Sequence, residues 1–113
     1  KSVSVERTFE DDVTNKNEVF EILTTLTIKL VNTLQRLNLK GKTVHVKWRS
    51  PDFVTPTRSR TFPYYLSEQS VIYPALSRLV NDNVEIERGI RLLGVGLSNL
   101  NGEGADRQLS LNI

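Results

Sequence analysis

The chain has 113 residues, 38% apolar and 25% charged, with no Cys and no Met. That balance suits one soluble globular domain and excludes disulfide staples, thiolate metal sites and a Cys nucleophile. The formal net charge of +2 is unevenly spread, because Lys40, Lys42, Lys47, Arg49, Arg58 and Arg60 meet a single acid, Asp52, in the stretch from 40 to 60. Such a local basic field suits a polyanion better than an anionic membrane, and no run approaches the ~18 apolar residues of a spanning helix. A solvated, lysine-rich surface is the competing reading. The chain opens on Lys1 with strand-like alternation starting at Ser2, so a longer parent is expected.

Ser2 to Phe9 alternates, with Val3, Val5 and Phe9 opposite Ser2, Ser4, Glu6 and Thr8, which predicts a half-buried strand. Glu10, Asp11 and Asp12 form an acidic turn, and Asn15 with Glu18 reads as a capping box. A helix follows from about Asn17 to Leu39, its apolar stripe carried by Val19, Leu23, Leu26, Leu30, Leu34 and Leu37, with Gly41 ending it. Thr43 to Arg49 alternates again, placing Val44, Val46 and Trp48 opposite Thr43, His45, Lys47 and Arg49. The turn Ser50-Pro51-Asp52 leads into a partner strand from about Val54 to Phe62, with a register break expected at Pro56. If Phe62 is buried, period two puts Arg58 and Arg60 on its side. Ser67 caps a second helix carrying Val71, Ile72, Ala75, Leu76, Leu79 and Val80, which Pro74 either kinks or starts. Arg91 to Leu100 is the last strand, and a Gly-containing tail follows.

The order β-α-β-β-α-β predicts an α+β domain over residues 1–100, with two helices on one face of a four-stranded sheet and a flexible tail over 101–113. The helix-free face then carries Ser2 and Ser4, Thr43, His45, Lys47 and Arg49, and Gly94, Gly96 and Ser98, with Leu92 the one large apolar residue. Hydroxyls and cations suit phosphate oxygens, and glycines either admit a ligand close to the backbone or merely tolerate sheet twist. Arg58, Ser59, Arg60 and Thr61 add a dense donor cluster. An RNA-reading sheet would carry stacking aromatics here, whereas Trp48 alternates to the other side. DNA-backbone contact is the reading the pattern favours.

Catalytic constellations are poor. His45 is the only histidine and reads as a solvated strand residue; Glu85 and Glu87 read as surface acids of a loop. Gly94-Val95-Gly96 lacks the third glycine and following helix of a dinucleotide fingerprint. No catalytic residue and no metal ligand is assigned, and a free-standing enzyme is the least favoured reading.

Three stretches in chain order resemble the little-finger domain of Y-family translesion DNA polymerases, DNA polymerase IV above all. Lys1-Ser2-Val3-Ser4-Val5-Glu6-Arg7-Thr8-Phe9 resembles the family's opening strand, K-S-[IV]-G-x-E-x-T, with Ser4 in place of the usual Gly. Arg58-Ser59-Arg60-Thr61-Phe62 is similar to the hairpin strand that touches template phosphates, and Ile90-Arg91-Leu92-Leu93-Gly94-Val95 to the last strand, whose leading Arg lies near DNA. The resemblance, taken with the phasing of the open face, implies a cytoplasmic, non-catalytic domain that grips primer–template duplex through Ser2, Ser4, Lys47, Arg49, Arg58, Ser59, Arg60, Thr61, Arg91, Gly94, Gly96 and Ser98. A separate palm domain would hold the two Mg2+ ions of nucleotidyl transfer. A clamp-recruiting adaptor derived from a catalytically inactive relative is the alternative.

The tail Gln108-Leu109-Ser110-Leu111-Asn112-Ile113 matches the bacterial sliding-clamp-binding pattern, Q-L-x-L followed by an apolar residue. Gln108 would hydrogen-bond at the rim of the clamp while Leu109, Leu111 and Ile113 enter its apolar pockets. A last strand folding onto its own domain is the competing reading of the same residues.

Overall fold

A computed structural model of the chain describes residues 2–101 and, as backbone, 108–112. Strand β1 (Ser2–Val13) is followed by helix α1 (Lys16–Leu37), the hairpin β2 (Gly41–Arg49) and β3 (Thr57–Leu66), helix α2 (Gln69–Asn83) and strand β4 (Ile90–Leu100). A short strand β5 (Gln108–Asn112) lies in the tail. The sheet order is β3-β2-β4-β1-β5, and the first four strands form an antiparallel sheet with the predicted β-α-β-β-α-β connectivity. β5 joins parallel to β1, pairing Leu109 with Val3 and Leu111 with Val5.

One side of the sheet is closed by the helices. Val3, Val5, Val44, Val46, Trp48, Leu93, Val95 and Leu97 form a single core with Leu23, Leu26, Leu30 and Leu34 of α1 and Ile72, Leu76 and Val80 of α2. Each such side chain contributes about 1.5–3 kcal/mol on burial, before the entropy of ordering is subtracted. Trp48 packs on this side, in register with Leu93, as its alternation with Val44 and Val46 requires.

Element ends depart from the sequence pattern for local reasons. The acidic turn is instead a bulge: β1 continues to Val13, and its register with β4 slips between the pairs Thr8–Leu92 and Val13–Ile90. Asn15 Oδ1 accepts the Glu18 N–H at 3.0 Å, so that cap forms. Helix α1 stops at Asn38, in the left-handed conformation (φ 55°, ψ 46°), rather than at Gly41. Gly41 belongs to β2, where a Cβ would stand 2.6 Å from the Ser98 carbonyl oxygen. The hairpin break falls at Pro63 and not at Pro56: β3 starts after Pro56, and the register shifts between the pairs Thr43–Thr61 and Gly41–Leu66. A proline cannot donate to the ladder, so the slip settles where one interrupts the edge strand. Helix α2 is capped by the Glu68 backbone position rather than by the Ser67 side chain, and it runs through Pro74 without interruption.

Candidate nucleic-acid interface

The helix-free face is organised as transverse rows across the four antiparallel strands. Cross-strand register sets Ser2, Ser98, Thr43 and Thr61 side by side; next come Ser4, Gly96, His45 and Ser59; then Glu6, Gly94, Lys47 and Thr57; and last Thr8, Leu92 and Arg49. Beyond β1, the β5 backbone pairs Gln108, Ser110 and Asn112 with Ser2, Ser4 and Glu6. The face is thus hydroxylic at one end and charged toward the other. Among the rows of the four antiparallel strands Leu92 is the one large apolar residue, and it is buried.

The first row is tied together. Thr43 Oγ1 lies 2.9 Å from Thr61 Oγ1 and accepts a hydrogen bond from Asn99 Nδ2 at 2.6 Å. In the charged row Lys47 Nζ reaches over Gly94 to Glu6 Oε1 at 3.1 Å, a partly exposed ion pair that links β2 to β1 across β4. Arg49 Nε donates to Thr55 Oγ1 at 3.1 Å. Ser2, Ser4, Glu6, His45, Lys47, Thr57 and Gly94 line a shallow hollow of about 240 Å³ in the middle of the face.

The glycines have a use that neither sequence reading anticipated. A Cβ at Gly96 would run into the His45 imidazole, and one at Gly94 would stand 3.2 Å from Glu6 Cβ and 3.4 Å from Lys47 Cε. Cross-strand side chains therefore roof both positions, and a ligand meets His45 and the Lys47–Glu6 pair there before it meets backbone. His45 is consequently half-buried rather than freely solvated. Burial, and then the charge of Lys47, hold its imidazole below the ordinary pKa.

Two groups of predicted contacts do not share this face. Arg58 and Arg60 pair with Val46 and Val44, whose side chains enter the core, so Ser59, Thr57 and Thr61 take the helix-free side and the arginines the other. The parity of Phe62 had pointed to this. Both arginines are exposed on an edge strand, Arg58 6.0 Å from the Trp48 ring centre and Arg60 4.5 Å from that of Phe62. Arg91 falls out of phase with Leu92, Gly94, Gly96 and Ser98, and its Nε is held by Asp12 Oδ1 of the β1 bulge at 2.7 Å. The cations thus divide between the face (Lys47, Arg49), the outer edge (Arg58, Arg60) and the bulge (Arg91). Glu6, the partner of Lys47, was missed as a site residue; its shared phase with Ser2 and Ser4 was the available signal.

In the tail, Gln108, Leu109, Ser110 and Leu111 lie in β5, described as backbone, and Ile113 lies outside the described residues. Among the described residues no helix is long and apolar enough to cross a membrane, and no three acidic or histidine side chains gather as metal ligands.

Residues 1–111 match the impB/mucB/samB family C-terminal domain. The chain is 40% identical over 112 residues to DNA polymerase IV of Methanoculleus marisnigri, covering 99% of this chain and 31% of that protein. It is 30% identical over 110 residues to DNA polymerase IV of Exiguobacterium sibiricum, covering 97% of this chain and 30% of that protein. It therefore spans about a third of the length of these relatives. Among solved structures it is similar to the little finger domain of PolIV in complex with the beta-clamp processivity factor, with a TM-score of 0.72, 26% identity and 96% of each chain covered. The sheet, the helices and the sequence agree: this chain belongs to the impB/mucB/samB family C-terminal domain and has the fold of a Y-family polymerase little finger.

Proposed function

We propose that this chain is the DNA- and clamp-binding part of a lesion-bypass DNA polymerase of the cytoplasm, with no chemistry of its own. The observation that carries the reading is the helix-free face itself. It presents hydroxyls, Lys47 and Arg49 in register across four strands, and none of the residues in these rows is a large apolar one exposed against a sugar–phosphate backbone. Arg58 and Arg60 at the outer edge of β3 extend the cationic reach beyond the sheet. The contacts are to phosphates, so sequence preference is weak. The metal ions and acids of nucleotidyl transfer are assigned to a palm domain outside this chain.

Clamp binding is assigned to Gln108, Leu109, Ser110, Leu111 and Ile113, on the strength of the Q-L-x-L pattern and of the similar PolIV domain solved with a clamp. The test is duplex binding by the 113-residue chain as a function of salt. Neutralising three or four phosphates gives a slope of about −3 to −4 in log K against log salt, alike for unrelated sequences. A salt-independent affinity, or a strong preference for one sequence, contradicts backbone gripping. The adaptor reading keeps the same contacts and differs only in the upstream palm, where lost metal-binding carboxylates would favour it.

A further inference from the structure

The hollow on the helix-free face has a charge count that does not suit a phosphate as it stands. Lys47 brings one positive charge, and Glu6, 3.1 Å away, cancels it. The other lining residues, Ser2, Ser4, Val5, Thr57, Gly94 and Val95, are neutral, which leaves His45, among the described residues, as the one group able to change the sum. The imidazole is placed for this: it stands over Gly96, between Ser4 of β1 and Ser59 of β3, with Lys47 two residues along its own strand.

We propose that this hollow is a seat for one backbone phosphodiester and that the seat takes up a proton on binding, with His45 as the acceptor. The inference rests on the DNA-binding reading above and adds a protonation step to it. An arriving phosphodiester brings one negative charge to a seat whose net charge is zero. A proton taken from solvent onto the imidazole restores neutrality and turns both ring nitrogens into donors, one of which reaches a phosphate oxygen. Among the described residues the charged groups facing His45 are Glu6 from β1 and Lys47 from β2. β4 offers Gly94, Gly96 and Ser98, and β3 offers Thr57, Ser59 and Thr61, none of them charged. Burial and Lys47 keep the imidazole neutral in the free domain, and the phosphate reverses that balance.

The chain has one histidine, so a single set of imidazole proton resonances reports the step directly. With a random-sequence duplex at fixed ionic strength, the His45 titration midpoint moves up on DNA binding. Duplex affinity rises severalfold from pH 8 to pH 6, within the limit of about tenfold per pH unit set by one proton. His45→Gln removes this rise. Glu6→Gln makes the seat positive without a proton, so it tightens binding at pH 8 and shrinks the pH effect. Inorganic phosphate at matched ionic strength moves the midpoint far less than the duplex does, because it lacks the neighbouring contacts. An unchanged midpoint in a chain that binds DNA overturns the seat and leaves the DNA reading standing, as does a Glu6→Gln variant that binds more weakly. A chain that binds no duplex at any pH overturns both.

Discussion

Glu6 and Lys47 meet at 3.1 Å although a whole strand separates theirs, and they meet because residue 94 between them has no side chain. A partly exposed pair of this kind adds at most about 1 kcal/mol to folding. Its larger consequence is for the surface: the pair roofs the centre of the face, and half of the positive charge expected there is already matched.

Gly94 and Gly96 should respond unequally to a methyl group. At Gly94 the neighbours are a methylene of Glu6 and the far end of a flexible lysine, both beyond 3 Å, so Gly94→Ala costs under about 1 kcal/mol. At Gly96 the new Cβ takes the place of the imidazole and stands 3.0 Å from the Val3 carbonyl oxygen. Gly96→Ala therefore displaces His45 and costs roughly 1–3 kcal/mol, read as a lower urea midpoint. Equal losses for the two variants would contradict the roofed arrangement.

The alternation of Ser2 to Phe9 and Thr43 to Arg49 and the stripe from Val19 to Leu34 were enough to place β1, β2 and α1, because burial on one side imposes periods of two and 3.6. The ends were not legible where an uncommon backbone state decides them. Asn38 in the left-handed conformation pre-empts Gly41, and the β1 bulge absorbs what reads as an acidic turn. The site was legible as a list of one-sided residues. Its internal pairing was not, since the bridge over Gly94 and the ring over Gly96 depend on cross-strand register. The out-of-phase position of Arg58 and Arg60 was present in the parity of Phe62, yet the clustering of donors around Ser59 argued the other way.

Stability should depend on pH through His45. The folded imidazole is depressed below its ordinary value of 6.5, so between that value and the lower folded one the unfolded chain holds more protons. The contribution is complete above pH 6.5 and is lost as pH falls through the folded value, so stability rises with pH across this window. The Asp52 carboxyl is also held low, first by the Ser50 hydroxyl and then by the Val54 N–H, and it titrates below the window. Urea midpoints between about pH 5 and pH 7.5 should fall on acidification in the parent chain and fall less in His45→Gln. Parallel curves would show that the imidazole is not held neutral by the fold.

The two groups of cations should be separable by salt. Arg58→Ala with Arg60→Ala gives up the neutralisation of about one phosphate per residue, whereas Lys47→Ala with Arg49→Ala gives up that of Arg49 alone, because Glu6 already matches Lys47. Every phosphate no longer neutralised lowers the magnitude of the salt slope by about 0.9, with equal effect on unrelated duplexes. Removing Lys47 leaves Glu6 unpaired in the hollow, so the changes at Lys47 and Arg49 should weaken binding more than those at Arg58 and Arg60. A loss confined to one duplex sequence would point to base reading and against a phosphate rail.

Leu109 and Leu111 pair in register with Val3 and Val5, so the residues assigned to the clamp are the ones the sheet holds as β5. The same segment cannot lie along β1 and occupy pockets on another protein at once. Saturating the chain with a bacterial sliding clamp should therefore speed amide exchange in β1 between Ser2 and Glu6, where β5 is the outer neighbour. Leu109→Ala and Leu111→Ala should each weaken clamp capture by about 30-fold, the factor that corresponds to roughly 2 kcal/mol for an anchor side chain, and leave duplex affinity unchanged. Capture that survives both substitutions would remove the tail from the clamp interface. Capture with unchanged exchange in β1 would show that the clamp is reached without releasing β5.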